Sequence, residues 1–293
     1  MSGRSTDFLP PTTYQGGKGR LAGQIVETIG LPIKGRFYDL CCGSGAVAVA
    51  AVERGQPPSQ ITMVDRSPWG LFWAAIGRGT FDVERFARIT HNIPIDPTKI
   101  KAHIQRLFSA PVGPDAIYHF LLLQAATFGG SPVWIDGDSW RAGGGFMDYW
   151  VSKPTSSRQN NSRNPMAPMP QVILSRVKVL AERMRGVAGM CYDLRLANSD
   201  SIRCKRGDVA YIDPPYVGST AFGYELSAVA VASNLHIPCW VSEAKGLGKR
   251  SVRLSGERTK GGMNGARKTA NEEWLTILGP AQEGYEVPAL GSR

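Results

Sequence analysis

Apolar and polar positions along this 293-residue chain fall into blocks of two lengths. Short apolar runs at 36–40, 61–65, 209–212 and 238–242 are bounded by Gly, Pro, Asp or Ser and predict buried strands. Longer stretches with helical spacing predict helices over 20–29, 46–52, 69–78, 116–128 and 171–185. In the last of these, Val172, Leu174, Val177, Leu180 and Met184 supply the apolar face. A helical period also runs from 81 to 107, with Asp96-Pro97 read as a turn. Residues 133–140 read as a hairpin tip, 191–196 as a strand and 272–278 as a closing strand. The sequence of strand, tight glycine turn and helix at 36–52 is the first half of a Rossmann-like unit, so the expected class is α/β.

Composition narrows the class. A hydrophobic content of 42% supports a sizeable core, and no apolar run reaches 18 residues, so no membrane span is expected. Residues 1–11 lack a basic-then-apolar signal pattern. Five cysteines without C-x-x-C spacing read as reduced thiols in a cytoplasmic protein.

Charge changes the picture more. The net charge of +10 is the footprint of a polyanion partner, nucleic acid first. The basic residues are clustered. Residues 153–170 hold Lys153, Arg158 and Arg163 with Gln159, Asn160, Asn161 and Asn164, and no acid. Arg, Asn and Gln are the side chains that read base edges, although the same composition also fits a plain polar loop. Residues 245–268 carry Lys245, Lys249, Arg250, Arg253, Arg258, Lys260, Arg267 and Lys268 against the single acid Glu257. Such a stretch can line a groove for phosphates.

The chemistry centres on Asp213-Pro214-Pro215-Tyr216, directly after the apolar strand at 209–212. Ligands bind at the C-terminal edge of an open parallel sheet. Two prolines stiffen the turn and remove two backbone donors. A carboxylate beside a free carbonyl suits an amine with two N–H groups, and the tyrosine ring suits a flat, stacked base. Taken alone, D-P-P also reads as an ordinary turn.

Three upstream features bear on that choice. Gly43 and Gly45 form a tight turn that is not G-x-G-x-x-G, with Asp39 at the end of the preceding strand. This argues for a nucleoside without a pyrophosphate. Asp65 ends the second strand roughly 20 residues later, where an acid can accept from both ribose hydroxyls; the other reading is a helix cap. Together these read as an S-adenosylmethionine site. Tyr14-Gln15-Gly16-Gly17-Lys18 places a cation and two glycines before the first helix, a plain loop or a carboxylate grip. Asp200 is read either as an acceptor for the cofactor's adenine amine or as a cap. Gln124 ends an apolar helix as a core or pocket residue, and 217–224 reads as a mobile lid.

In this order the elements resemble the Dam-like DNA adenine-N6 methyltransferases, the D12 class or alpha group. The resemblance rests on Tyr14 to Lys18, on the Asp39-to-Gly45 motif, on an insert near 81–189 and on Asp213 to Tyr216. It departs from the family at Cys41-Cys42, where an aromatic is usual. It departs again at Gln124 to Gly130, where the family often has N-R-x-x-x-N-G. The resemblance implies a class I S-adenosylmethionine-dependent methyltransferase sheet, built from 1–80 and 190–293. It implies an inserted, mainly helical target-recognition domain at 81–189, with a basic loop near 153–170.

The site residues follow from the same source. Tyr14, Lys18, Asp39, Gly43, Gly45, Asp65, Asp200 and Asp213 would hold the cofactor. Asp213, Pro214, Pro215 and Tyr216 would form the catalytic corner for a flipped adenine. Arg158, Asn160, Asn161, Arg163, Lys249, Arg250, Arg258, Lys260, Arg267 and Lys268 would face double-stranded DNA. No metal is needed. A phage-type or restriction-associated enzyme in a bacterial cytoplasm is the expectation, with cytosine-N4, RNA or protein amine methylation as the alternatives.

Overall fold

The computed structural model describes residues 8–94, 96–146, 168–215, 225–254 and 272–279. The described chain runs α1 (Ala22–Ile29), β1 (Phe37–Leu40), α2 (Ala46–Glu53), β2 (Ile61–Asp65) and α3 (Pro68–Arg78). It continues with α4 (Val83–His91), α5 (Pro97–Ser109), α6 (Ala116–Ala126), β3 (Val133–Asp136), β4 (Ser139–Ala142), α7 (Pro170–Arg183) and β5 (Ala188–Cys191). Then come α8 (Ser199–Ile202), β6 (Val209–Ile212), α9 (Ala228–Leu235), β7 (Cys239–Glu243), β8 (Ser251–Leu254) and β9 (Glu273–Leu278).

Seven strands form one sheet in the order β5-β2-β1-β6-β7-β9-β8. β5, β2, β1, β6 and β7 are mutually parallel, and β9 lies antiparallel between β7 and β8. This is the Rossmann-like sheet expected of the class I methyltransferase fold. β1, β2 and β6 are buried on both faces, which is why they read as continuous apolar runs. Alternate residues still part to opposite sides. Phe37, Tyr211 and Trp240 join the core under α1, α2 and α3. Tyr38, Leu40, Ala210, Ile212 and Val241 join the one under α9. The chain winds outward from β1 through β2 to β5, then crosses back to β6. The C-terminal ends of β1 and β6 therefore flank the topological switch point, where such sheets bind ligands.

Among the described residues between α3 and β5 lie α4 to α7 and the β3–β4 hairpin. Their apolar side chains continue the core of α3. Phe72 meets Phe81 edge-on at 5.6 Å, Phe81 meets Tyr118 at 4.9 Å, and Phe86 stacks on Tyr118 at 6.1 Å.

The elements depart from the sequence expectation in a few places. The strand expected at 191–196 is instead β5 at Ala188–Cys191, and Leu194–Leu196 is a 3-10 turn. The cause is close packing of α3 on β5. A Cβ on Gly77 would overlap the Val187 carbonyl, and one on Gly189 would overlap the backbone of Ala74. The strand must be small there and so shows no apolar run. The 81–107 block is two helices, with Asp82 capping α4 by accepting from Arg85 N at 2.8 Å. α9 and β8 were not anticipated. β8 was hidden in the basic stretch because Arg253 points outward to Glu272 at 3.0 Å. No helix among the described residues is long and apolar enough to cross a membrane.

Candidate active site

The bend after β1 is built from backbone conformations that few residues tolerate. Cys41, Gly43 and Gly45 have φ of 58°, 48° and 78°. Gly43 also brings an aromatic close: a Cβ there would sit 2.7 Å from Cε1 of Tyr14. The Gly43 carbonyl accepts from Trp73 Nε1 at 3.0 Å, and its N–H donates to Asp65 Oδ2 at 2.8 Å. Ser67 donates to Asp65 Oδ1 from its backbone N at 2.8 Å and its hydroxyl at 2.6 Å. Asp65 thus ties the end of β2 to the glycine bend. Burial still raises its pKa, with the Ser67 and Gly43 bonds working the other way.

Asp39 is 1% exposed, and its Oδ2 accepts from Ala48 N at 3.1 Å, tethering α2 to β1. Burial pushes its pKa up to about 8, and nearby Asp213 and Asp65 add to the shift. Near neutral pH it is largely a neutral acid with an anchoring role.

Asp213 follows β6 immediately, its N–H bonded to the Leu40 carbonyl at 3.1 Å. Lys18 Nζ donates to Asp213 Oδ1 at 2.7 Å and to the Gly16 carbonyl at 3.1 Å. Glu273 Oε1, at the start of β9, lies 3.6 Å from the same ammonium. Burial raises Asp213 to about 6; Lys18 pulls it down, while Glu273 and Glu243 push it up. Burial works to lower the Lys18 pKa, but Asp213 and Glu273 outweigh it and the group lies above the ordinary lysine value. The outcome is a carboxylate close to neutral titration and a lysine that stays charged.

Lys18, Asp39, Gly43, Asp65, Ser67 and Asp213 line one cavity of about 630 Å³, within the range of small-molecule sites. Of the predicted residues, it gathers Tyr14, Lys18, Asp39, Gly43, Asp65, Asp213, Pro214 and Pro215. Gly45 lies just behind as the N-cap of α2.

Asp200 is a correction. It is exposed in the first turn of α8, off the cavity, and Asn198 is the cap there. β5 ends early, and the 3-10 turn carries the chain away from the sheet edge before residue 200. Asp193 stands closer to that edge, next to Tyr192, whose N donates to the Asp65 carbonyl at 3.1 Å. Arg195 holds Asp193 at 2.5 Å and Arg66 at 3.5 Å; Arg195 chiefly keeps its carboxyl below the ordinary value.

Arg250, expected to face DNA rather than to line the cavity, is exposed. It donates to the Gly279 carbonyl at 3.2 Å, at the end of β9 opposite to Glu273. Its neighbour Lys249 is exposed, and neither lines the cavity. Tyr216, the expected lid at 217–224, and Arg158, Asn160, Asn161, Arg163, Arg258, Lys260, Arg267 and Lys268 lie outside the described residues.

Sequence reasoning missed one cavity wall. Pro132, Val133, Trp134, Ile135 and Asp136 of the hairpin region line it together with Tyr14 to Lys18. Gln124 sets that wall without lining it. It is fully buried, donates to the Gly130 and Ser131 carbonyls at 3.1 and 3.0 Å, and accepts from Val133 N at 3.1 Å. The Gly130 carbonyl also accepts from Gln15 N at 2.8 Å. One side chain therefore joins α6, the hairpin and the Tyr14 loop. Arg66, Cys41 and Glu273 were also missed as site residues; Arg66 adjoins Asp65 and Cys41 lies within the Asp39-to-Gly45 motif, while Glu273 carried no such signal.

The residues present fit S-adenosylmethionine. Gly43 lets the Tyr14 ring pack onto the bend where a Cβ would meet it at 2.7 Å, Asp65 is held at the end of β2 where an acid can accept from ribose hydroxyls, and the volume suits a nucleoside. No group of three metal-binding side chains occurs among the described residues. No protein-family model matches the sequence. No curated protein matches it either. Among solved structures, the chain aligns with the rRNA methyltransferase aviRa from Streptomyces viridochromogenes at 15% identity, covering 93% of this chain and 87% of that one. The TM-score is 0.38. A likeness that loose carries no argument, and the fold rests on the strand order of the sheet itself.

Proposed function

We propose that this chain is a site-specific DNA adenine-N6 methyltransferase of the Dam-like kind. The observation that carries the reading is the position of Asp213-Pro214-Pro215. A largely buried carboxylate and a stiff, donor-poor corner stand at the switch point, in the same cavity as the Asp65–Gly43 bend.

In this reading Asp65, Tyr14 and the glycine bend hold the cofactor, which supplies an electrophilic methyl group. The Asp213 carboxylate and the Pro214 carbonyl accept the two N6 hydrogens of the target. Adenine N6 is a poor nucleophile because its lone pair is delocalised into the ring. Two acceptors bias the nitrogen toward tetrahedral geometry and turn its lone pair toward the glycine bend. Catalysis then comes from positioning and preorganised charge. The nitrogen sheds one proton as it gains the methyl group. Asp213, at about 6, is matched to receive that proton near neutral pH. Tyr216 would stack on the flipped base, the helical insert with its hairpin would read the target, and the basic stretches would hold phosphates.

Radiolabelled methyl transfer to duplex DNA, RNA and protein, followed by digestion to nucleosides, tests the reading. N6-methyladenine in duplex DNA is expected. N4-methylcytosine, or label in RNA or protein, would replace the substrate while keeping the corner. Asp213→Ala is expected to abolish transfer with circular dichroism unchanged. Near-normal turnover in that variant would discard the assignment.

A further inference from the structure

Lys18 is held by more than its catalytic neighbour. Its ammonium has three N–H directions. One reaches the Gly16 carbonyl at 3.1 Å, one reaches Asp213 at 2.7 Å, and Glu273 stands 3.6 Å away. All three charged side chains are largely buried, at 7, 17 and 14% exposure for Lys18, Asp213 and Glu273. We propose that Glu273 is a positioning residue that shares the Lys18 ammonium and thereby keeps Asp213 a strong acceptor for an incoming amine. The inference rests on the reading of Asp213 as the amine acceptor.

The argument is one of charge and geometry. A carboxylate wholly matched to a buried ammonium forms a neutral pair and draws weakly on a further N–H donor. A second carboxylate on the same ammonium removes part of that match. The surroundings reinforce the effect. Glu243, at the end of β7, and Glu273, at the start of β9, both face the corner; Asp39 approaches from β1 and Tyr211 from β6. Lys18 comes from the loop before α1, and Lys245 bears on Glu243 from outside. Three carboxylates, on Asp213, Glu243 and Glu273, thus surround one buried ammonium. The corner is left with negative charge to meet positive charge developing on the substrate nitrogen. Of the two glutamates, Glu273 is the one that forms an ion pair with Lys18, at 3.6 Å. β9 places it there, one residue before the Trp274 that pairs with Glu243 across the sheet.

The test compares Glu273→Gln and Glu273→Asp with the unaltered full chain. Carbon-13 carboxyl NMR follows the Asp213 titration without cofactor, with Asp213→Asn used for assignment. Transfer kinetics, cofactor calorimetry and melting temperature are measured in parallel. In Glu273→Gln, Asp213 loses a negative neighbour and a competitor for Lys18. Its midpoint should fall by about 1 pH unit, and kcat on the orders of tenfold, while melting temperature and cofactor affinity hold. Glu273→Asp keeps the charge and should return the midpoint most of the way.

An unmoved Asp213 midpoint in Glu273→Gln would overturn the inference even if the unaltered protein transfers methyl groups. So would a fall accompanied by a lower melting temperature and no recovery in Glu273→Asp, because loosening alone explains that pattern. A shifted midpoint in a protein that methylates no substrate would defeat the parent reading instead.

Discussion

Asp39, Asp65 and Asp213 line the same cavity, yet their surroundings give them three different chemistries. Asp65 accepts three short hydrogen bonds and serves as a latch. Asp39 accepts one, from the start of α2, and is otherwise desolvated. Asp213 has a lysine on one oxygen and further acids behind it. These differences set pH behaviour. Asp213 works as an acceptor only when ionised, so transfer should fall as pH drops through about 6. A pH–rate profile checks this, and an acid limb near the ordinary carboxylate value would contradict it. Asp39 runs in a related direction for stability. Its folded value, about 8, lies above its unfolded one, so the folded protein binds the extra proton. Stability from this group is therefore greatest at low pH and is lost as pH rises toward 8. Asp39→Asn, which keeps an acceptor for Ala48, should gain stability on the native protein by roughly 1 kcal/mol per pH unit between pH 5 and 8, then level off. Urea unfolding across that range measures it.

At the scale of elements, two contacts decide where the cavity walls stand. α3 lies directly on β5 through Gly70, Gly77 and Gly189, each with backbone where a Cβ would go. Gly189→Val should destabilise by at least about 3 kcal/mol, since nothing nearby is a flexible side-chain end; thermal unfolding checks it. Gln124 is the other contact. Its amide bonds are buried, so Gln124→Ala leaves the Val133 N–H and two carbonyls without it, at about 2–4 kcal/mol. The hairpin wall should loosen with it. Cofactor affinity measured by calorimetry should then fall at a temperature where the variant remains folded. The hairpin and α6 were readable from periodicity at 116–128 and 133–140. That they close over the Tyr14 loop was not, because Gln124 joins segments more than a hundred residues from that loop through backbone groups that have no sequence identity.

For the molecule as a whole, charge and topology carry the reading. With a net +10, binding to duplex DNA should weaken steeply with salt. Replacing Arg258, Lys260, Arg267 and Lys268 together should reduce the log–log salt slope by up to about 4 if each meets a phosphate. An unchanged slope, measured by fluorescence anisotropy, would remove that stretch from the interface. The amino-acid order by itself determined the alternating α/β class, the buried strands and the residue types of the corner and the glycine bend. Those features are local: an apolar run, a positive-φ glycine or a proline pair means the same thing wherever the chain lies. Only the tertiary structure decided that Lys18 and Asp213, 195 positions apart, are bonded, and that Glu273 shares their charge. It likewise set Asp200 off the cavity. Which acid meets which base depends on the strand order β1-β6-β7-β9 and on where β5 ends. Both are set by packing against helices, such as α3 on its glycines, that no short stretch of sequence displays.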